Sequence, residues 1–414
     1  MAVVKPFKAL RPKQEYAHLV ASVPYDVVNT EEARALAGDN PFTLLRVTRS
    51  EIEFGNGINP YGEEIYARAK KNLETISADA MLTEERDALY IYSLTMNGRT
   101  QTGIAATFSV DDYDNDVIKK HEKTRKEKED DRTRHIITTG AQTGPVFLTY
   151  RGAKRVDQIT AKVTSELKPV YDFTAPDGVQ HKVWIIPAEL TSEVVEAIGG
   201  VDYLYIADGH HRAASASRTR AEMRSKNPAH TGKEKYNFFI AVLFPAAQLH
   251  IMPYNRVVTD LNGHEPDIFL KEIFENFTIE QNHVSTPDQK GRYCLYLGGK
   301  WYALSPRDNV KASLSLASSI GEKLDVSILQ NTVLSPILGI EDPRTSKRID
   351  FVGGIRGTEE LEKLVDSGKF AAAFSLYPVT VDDLMAISDA GEIMPPKSTW
   401  FEPKLRDGLL VHLI

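Results

Sequence analysis

Cysteine is almost absent from this chain, whose 414 residues include only Cys294. One cysteine excludes an internal disulfide framework and is typical of proteins kept in the reducing cytoplasm. The chain also lacks any uncharged apolar stretch near the ~20 residues that a membrane helix needs. Its first residues lack the basic and apolar regions of a signal peptide. We therefore expect a cytoplasmic protein that has no membrane partner.

An excess of positive charge is missing as well. Lysine and arginine number 50 against 57 aspartates and glutamates, which gives a formal net charge of −7. Proteins that bind nucleic acid usually carry a basic surface, so this balance argues against a nucleic-acid partner. With 42% hydrophobic and 26% charged residues, the composition is that of an ordinary globular protein. The length is sufficient for two domains.

The most informative stretch runs from Val201 to Ser217. Its aromatic and aliphatic run, Tyr203 to Ala207, predicts a buried strand. Asp208-Gly209 then predicts a tight turn, because glycine accepts backbone angles that other residues resist. The small residues from Ala213 to Ala216 favour the first turns of a helix. A strand, a glycine turn and a helix start leave free backbone N–H groups where the helix dipole also favours negative charge.

The side chains at this turn strengthen the prediction of a phosphate site. Arg212 supplies a forked cation suited to phosphate, and His210 and His211 can titrate near neutral pH. Two alternatives remain open at this point. Asp208, His210 and His211 are also ordinary ligands of zinc or manganese, and an arginine near a helix start often only pairs with a carboxylate.

A second informative stretch runs from Ile118 to Ile136, where residues 119–135 include no apolar side chain. Drawn as a helix, it places potential cations on one stripe at spacings of three and four. These are His121, Arg125, Lys128, Arg132 and His135. Glu122 and Glu129 lie beside the stripe, and either carboxylate would suit a base. A helix without an apolar face is either a solvated surface helix or one wall of a polar cleft.

Weaker candidates lie in several other segments. Thr143 and Gly144 belong to a loop that would cradle phosphate, or would simply turn into the strand predicted at Val146–Tyr150. A strand predicted from Phe42 to Val47 would deliver Arg46. The remaining candidate contacts for an anionic substrate are Asn255, Arg256, Lys397 and Ser398. For these, a surface ion pair or a loop that fixes the C-terminal strand is the ordinary alternative.

Asp208-Gly-His-His-Arg212 is similar to the Asp-Gly-His-x-Arg motif of the ParB/sulfiredoxin-like superfamily, which includes the archaeal free serine kinases. Over nearly its full length the chain also resembles the bacterial family called domain of unknown function 1015. The matching stretches are Pro6–Pro12, Pro24–Val28, His121–Thr124, Lys128–Arg132, Ala141–Pro145, Asp350–Ile355 and Met394–Lys404. A sulfiredoxin would need a cysteine immediately before the His-Arg pair, and His210 is there instead. A ParB-type DNA clamp would need a basic reading domain, which the charge balance does not favour.

The resemblance implies a mixed α+β fold. Its expected parts are a ParB/sulfiredoxin-like nucleotide-binding core with large insertions over residues 1–255, and a C-terminal α+β part over 256–414 that packs on the cleft. Asn262-Gly263 and Pro266 predict an interruption of regular secondary structure, which agrees with a domain division in this region. The implied partners are a small metabolite and a nucleotide, ATP or ADP with Mg²⁺.

The resemblance also implies nucleotide-dependent phosphoryl transfer to or from a small hydroxylated metabolite, with free L-serine or O-phosphoserine the expected pair. Asp208, Glu122, His210 and His211 are the expected catalytic residues. The nucleotide contacts would be Gly209, Arg212, Ala213, Thr143 and Gly144. The substrate contacts would be Arg46, His121, Arg132, Asn255, Arg256, Lys397 and Ser398. A phosphoserine phosphatase, a nucleotide- or metabolite-sensing protein and a metal-dependent hydrolase are the alternatives.

Overall fold

The computed structural model describes residues 1–55, 57–282 and 284–414. The chain forms two compact units, of which the first comprises Met1–Leu249 with Pro403–Ile414 and the second His250–Glu402. The expected division placed residues 250–255 with the core and the last twelve residues with the C-terminal part. The last segment belongs to the first unit because its backbone pairs there, for example Val411 with Leu10.

The first unit contains the following strands: β1 Val4–Lys5, β2 Leu10–Pro12, β3 Met81–Thr83, β4 Tyr90–Met96, β5 Arg99–Ser109, β6 Ile118–Lys119, β7 Ala141–Gln142, β8 Val146–Tyr150, β9 Tyr171–Thr174, β10 Gln180–Ile185, β11 Leu204–Asp208, β12 Phe238–Pro245 and, from the C-terminal segment, β21 His412–Leu413. Its helices are α1 Ala17–Val20, α2 Thr30–Ala37, α3 Leu45–Thr48, α4 Glu63–Ala80, α5 Val110–Asp114, α6 Lys126–Thr139, α7 Lys154–Glu166, α8 Ala188–Gly199 and α9 His210–Ser225.

A mixed sheet organises the first unit. Among the described residues it has nine strands, in the order β6-β11-β8-β12-β5-β4-β10-β9, with β1 paired to β5. The strand β11 runs parallel to β6 and antiparallel to β8, so the end of β11 lies near one edge of the sheet. Apolar side chains of α7, α8 and α9 pack with those of the sheet in one hydrophobic core. This packing fixes the start of α9 against the end of β11.

The second unit contains β13 His250–Met252, β14 Tyr254–Val258, β15 Phe277–Asn282, β16 Tyr293–Leu297, β17 Lys300–Pro306, β18 Ile349–Gly353, β19 Ala372–Leu376 and β20 Trp400–Glu402. Its helices are α10 Pro266–Phe274, α11 Asp308–Leu316, α12 Asp325–Leu329, α13 Glu359–Asp366 and α14 Val381–Asp389. Six of the strands form an antiparallel sheet in the order β15-β17-β16-β19-β14-β18. The predicted mixed α+β class is therefore confirmed.

Two local predictions are wrong. The segment predicted as a strand from Phe42 to Val47 contains the start of the short helix α3, because a brief apolar run fits either element. The single charged helix predicted from Ile118 to Ile136 is a strand, a loop and then α6. The strand before the glycine turn is confirmed, one residue later than predicted.

No described part of the chain forms a helix that is both long and apolar enough to cross a membrane.

Candidate functional site

The predicted glycine turn joins β11 to the 16-residue helix α9. Gly209 has φ +94° and ψ 30°, a left-handed conformation that side chains other than glycine rarely adopt. The first hydrogen bond inside the helix runs from the Ala213 N–H to the Gly209 carbonyl over 3.1 Å. The N–H groups of His210, His211 and Arg212 therefore have no acceptor within the helix. This end of α9 is suited to receive an anion.

Arg212 is a buried residue whose guanidinium lies close to Gly209. Its side chain is 9% exposed, and its guanidinium donates to the Pro145 carbonyl and, over 3.0 Å, to Asp208. The buried Nε has no hydrogen-bond partner among the residues that the structure describes. Burial disfavours the charge, but the nearby acidic groups outweigh it and raise the pKa of Arg212, Asp26 and Asp208 contributing most. Arg212 thus supplies a permanent positive charge close to the glycine turn.

The two histidines of the turn hold the loop that precedes α6. The His211 Nε2 accepts a hydrogen bond from the Arg125 N–H over 3.0 Å, and the His210 Nε2 accepts a longer one from the His121 N–H over 3.5 Å. An imidazole that accepts at Nε2 is neutral and carries its proton on Nδ1. Burial lowers the pKa of His210 to about 3 and is also the main cause that lowers the pKa of His211. Both rings are therefore neutral at neutral pH.

These bonds explain why the predicted helix is interrupted. The backbone N–H groups of His121 and Arg125 donate to imidazoles of another helix, so they do not form a helical ladder of their own. The expected stripe of cations therefore breaks up: His121 lies in the loop, Arg125 caps α6, and only the later members are helical.

His121 and Glu122 both lie against His210. The His121 ring is 2% exposed and meets His210 edge to face with ring centroids 4.4 Å apart. In the described structure neither nitrogen of the His121 ring has a hydrogen-bond partner. Burial, and then the neighbouring His210, lower the pKa of His121 well below its ordinary value. The Glu122 carboxylate is partly exposed and lies 3.8 Å from His210 Nδ1.

A second, largely buried cation lies on α6. Arg132 pairs with Asp131 over 2.8 Å, and its guanidinium stacks 4.2 Å above the Tyr25 ring. Asp131 also accepts a hydrogen bond from the Tyr66 hydroxyl over 2.8 Å. Burial disfavours the charge of Arg132, but Asp131 and Tyr25 raise its pKa overall. Tyr25 and Tyr66 thus hold the Asp131–Arg132 ion pair in place through these contacts.

Arg132 and Arg212 both line a small cavity of about 40 Å³. This volume has room for one or two water molecules. Its polar lining includes Tyr25, Arg132, Thr143, Arg212 and Asp407. Gly144 also lines it, and a side chain there would collide with the Asp407 carboxylate. Thr143 and Gly144, predicted from sequence as phosphate contacts, therefore line the same cavity as Arg212.

Asp407 is the group at this site that sequence reasoning missed. It is 2% exposed, and its Oδ1 has no hydrogen-bond partner among the described residues. Burial raises the pKa of Asp407 to about 7, although Arg212 opposes the shift. The backbone of Asp407 pairs with that of Ser22 through two hydrogen bonds of 2.9 and 3.1 Å. This pairing brings the C-terminal segment beside the loop of Tyr25 and Asp26.

The same segment contributes Lys404, whose Nζ lies 3.6 Å from the Asp208 carboxylate. Arg406 anchors the segment on its other side. Its side-chain Nε donates to His181 over 3.2 Å, and its Nη2 donates to Asp177. The backbone N–H of Arg406 donates to the Tyr92 hydroxyl. No short motif in the sequence indicates that this segment returns to the glycine turn.

The structure brings together most of the predicted site residues in the first unit. These are His121, Glu122, Arg132, Thr143, Gly144, Asp208, Gly209, His210, His211, Arg212 and Ala213. Ala213 is fully buried in the core and its N–H is already used within the helix, so it offers no free donor. Arg46 lies apart, because its guanidinium bonds to Glu53 and to the carbonyls of Gly38 and Asn40.

The other four predicted contacts lie in the second unit, with Asn255 and Arg256 on β14 and Lys397 and Ser398 on the loop before β20. The Asn255 side chain accepts a hydrogen bond from the Leu376 N–H over 3.1 Å. It therefore joins two strands of the sheet.

Asp208, His210 and His211 do not form a metal centre. Within residues 1–55, 57–282 and 284–414, no group of three or more histidine, cysteine, aspartate or glutamate side chains is arranged to hold a metal ion. The reason is visible in their contacts, since Asp208 faces Arg212 and Lys404 while the imidazoles face the loop backbone.

A family model described as "Protein of unknown function (DUF1015)" matches residues 4–327. The chain belongs to the DUF1015 family. The resemblance found in the sequence motifs is thereby confirmed. Among proteins with curated descriptions, none matches this DUF1015 chain.

Several solved structures are distantly similar to this DUF1015 protein. A free serine kinase in complex with AMP is 12% identical, with a TM-score of 0.35 over 74% of this chain and 92% of the other. A conserved hypothetical protein from Pyrococcus furiosus is 13% identical, with a TM-score of 0.34 over 75% and 95%. C-terminally truncated SbnI from Staphylococcus aureus is 14% identical, with a TM-score of 0.40 over 75% and 87%. At these scores the likeness does not bear on the chemistry of the site.

Proposed function

We propose that this DUF1015 protein transfers a phosphoryl group between a nucleotide and a small hydroxylated metabolite, with free L-serine and O-phosphoserine as the expected pair. The observation that carries the proposal is the turn at Gly209, which leaves three N–H groups at the head of α9 close to the buried charge of Arg212. Phosphoryl transfer needs positioning and charge neutralisation above all, and this arrangement supplies both. The choice of serine rests on the resemblance of the Asp208–Arg212 motif to that of free serine kinases.

The roles of the residues follow from their positions. The N–H groups of His210, His211 and Arg212 would hold phosphate oxygens. Arg212 would stabilise the negative charge without moving, because Asp208 and the Pro145 carbonyl already fix its guanidinium. The neutral rings of His210 and His211 would keep the loop of Glu122 in place.

Two carboxylates are available as the base that takes the proton of the attacking hydroxyl. Glu122 is partly exposed and lies beside His210. Asp26 is exposed and follows Tyr25, which lines the cavity beside Arg212. Its charge helps to raise the pKa of Arg212 and opposes the lowering of the pKa of His211 by burial. We place Glu122 first, as the sequence predicted, and treat Asp26 as the rival that the structure adds.

A nucleotide accompanied by Mg²⁺ would supply the phosphoryl group and neutralise part of its charge. Mg²⁺ is commonly held by one or two carboxylates together with phosphate oxygens, rather than by a complete protein cage. The lack of a three-ligand cluster in the described part of the chain is compatible with that arrangement. Asp26 and Glu122, two accessible carboxylates near the turn, are suited to hold it.

Turnover tests the proposal directly. The full-length protein is incubated with L-serine or O-phosphoserine and with ATP, ADP or CTP in turn, and phosphorus NMR follows phosphoserine, nucleotide and inorganic phosphate. Interconversion of phosphoserine and serine coupled to the nucleotide supports the proposal. Release of inorganic phosphate from phosphoserine without nucleotide would identify a phosphatase instead, and nucleotide binding without turnover would identify a sensing protein.

Matched variants separate the two candidate bases. We expect Glu122→Gln to lower the rate by roughly 10²–10⁴-fold if Glu122 is the base, whereas Glu127→Gln, an exposed control nearby, should retain the wild-type rate. Asp26→Asn and its exposed control Asp39→Asn form the second pair. Wild-type rates in both Glu122→Gln and Asp26→Asn would contradict a base at either position.

A further inference from the structure

Arg256 is a buried arginine of the second unit. It lies on β14 between β18 and β19, and its side chain is 3% exposed. Its guanidinium lies 5.4 Å from the centre of the Phe351 ring and donates hydrogen bonds to the carbonyls of Tyr254 and, over 3.2 Å, Lys397. Both acceptors are neutral main-chain groups. Within the part of the chain that the structure describes, no carboxylate pairs with Arg256.

The other strongly buried arginines are different. Among the described residues, three arginines fall in the most buried class, and two of them contact a carboxylate: Arg212 bonds to Asp208 and Arg406 to Asp177. A buried cation without an opposite charge is costly, because the solvation it loses is not replaced. Burial accordingly lowers the pKa of Arg256 to about 10, which still leaves it charged at neutral pH.

The segment that covers Arg256 is held in a defined shape. Lys397 has φ +55°, a left-handed conformation that is uncommon for a residue other than glycine. The Ser398 hydroxyl donates to the Pro395 carbonyl over 2.7 Å, and the Lys397 Nζ lies 5.6 Å from the Tyr254 ring. The backbone of this segment contacts Arg256 through the Lys397 carbonyl, and its Lys397 side chain places a second cation near the Tyr254 ring.

We propose that Arg256, together with the Lys397–Ser398 segment, binds the oxyanion of a small ligand, either a carboxylate or a phosphate group. The guanidinium uses two of its five N–H donors on carbonyls, and the remainder suit the paired oxygens of either group. A bound oxyanion supplies the opposite charge that Arg256 lacks in its own unit. This site does not depend on the phosphoryl transfer proposed for the glycine turn.

Replacing Arg256 with methionine tests the site, because methionine keeps much of the length and removes the charge. Thermal unfolding and ligand binding of the full-length protein are measured with inorganic phosphate, L-serine and O-phosphoserine at millimolar concentrations. We expect Arg256→Met to weaken binding of at least one probe by roughly tenfold or more. Without any anion, the variant should melt no lower than the wild type, because it no longer buries an unpaired charge. The phosphate and serine arms distinguish a phosphate ligand from a carboxylate ligand.

Two control variants separate this site from the glycine turn and from general effects of charge. Arg292→Met removes a more exposed arginine of the same unit and should bind the probes as the wild type does. Gly209→Ala alters the turn and should leave the contribution of Arg256 intact. Unchanged binding in Arg256→Met, or a wild type that binds none of the three probes, overturns the proposal. If Arg256→Met melts at a lower temperature than the wild type, its loss of binding is compared with that of Arg256→Lys. Partial recovery of binding in Arg256→Lys supports the proposal, and no recovery counts against it.

Discussion

Replacing Asp407 with asparagine should change how the stability of this protein depends on pH. Burial raises the pKa of Asp407 from its ordinary 3.8 to about 7 in the folded state. A carboxyl group with a raised folded pKa stabilises the fold fully below its unfolded pKa, and this contribution is lost as the pH rises through the folded pKa. The window therefore runs from about pH 4 to about pH 7.

The size of the effect follows from the shift of about three pKa units between the two states. At ~1.4 kcal/mol per unit, the free energy of unfolding of the wild type should fall by up to about 4 kcal/mol relative to Asp407→Asn across this window. Arg212 keeps Asp208 as a partner in the variant, so its own charge stays compensated. Asp26, Arg132 and Arg406 are the other charged groups that act on this carboxyl, and all three remain.

Urea unfolding at a series of pH values, carried out on both proteins, measures this difference. Buried neutral histidines such as His210 and His181 destabilise both proteins on the acid side, so they cancel when the two curves are subtracted. Asp177→Asn is a control with the opposite sign, because Asp177 keeps a lowered pKa: Arg406 outweighs the effect of its burial. A difference between wild type and Asp407→Asn that does not vary between pH 4 and 7 would refute the reasoning.

Two further substitutions test the close contacts of glycines. Gly209→Ala should lower the free energy of unfolding by about 1–2 kcal/mol in urea, because it forces alanine into a left-handed conformation. Its new methyl group would also lie 3.0 Å from Arg212 Nε. The same variant should lose nucleotide affinity, and unchanged affinity would contradict the site. Gly353→Ala should cost about 1–3 kcal/mol, since a methyl there would lie 2.8 Å from the Trp400 indole; equal stability to the wild type would show that the indole is free to move.

The glycine turn was predictable because its information is local. Asp208-Gly209 follows an apolar run and precedes a helix-forming segment, and each of these signals depends on neighbours in sequence. The structure adds that Arg212 turns inward, which the motif does not reveal. That direction depends on Asp208 and on the Pro145 carbonyl, and the latter comes from a distant part of the chain.

The errors have a common physical origin in contacts between distant segments. The loop before α6 is not helical because His210 and His211 take its backbone donors, and nothing in the loop itself indicates this. Asp407 was missed because only the pairing of its backbone with Ser22 brings it to the site. Arg46 was assigned to the site from a strand that does not form, since a short apolar run does not distinguish strand from helix.

The central claim is that the first N–H groups of α9 bind phosphate, and amide chemical shifts measure this directly. The full-length, isotope-labelled protein is titrated with AMP while the amide signals of His210, His211 and Arg212 are followed. We expect these three signals to shift together and to saturate, with smaller changes elsewhere on α9. Signals that stay in place while AMP binds, or that shift only far from the Gly209 turn, would contradict the claim.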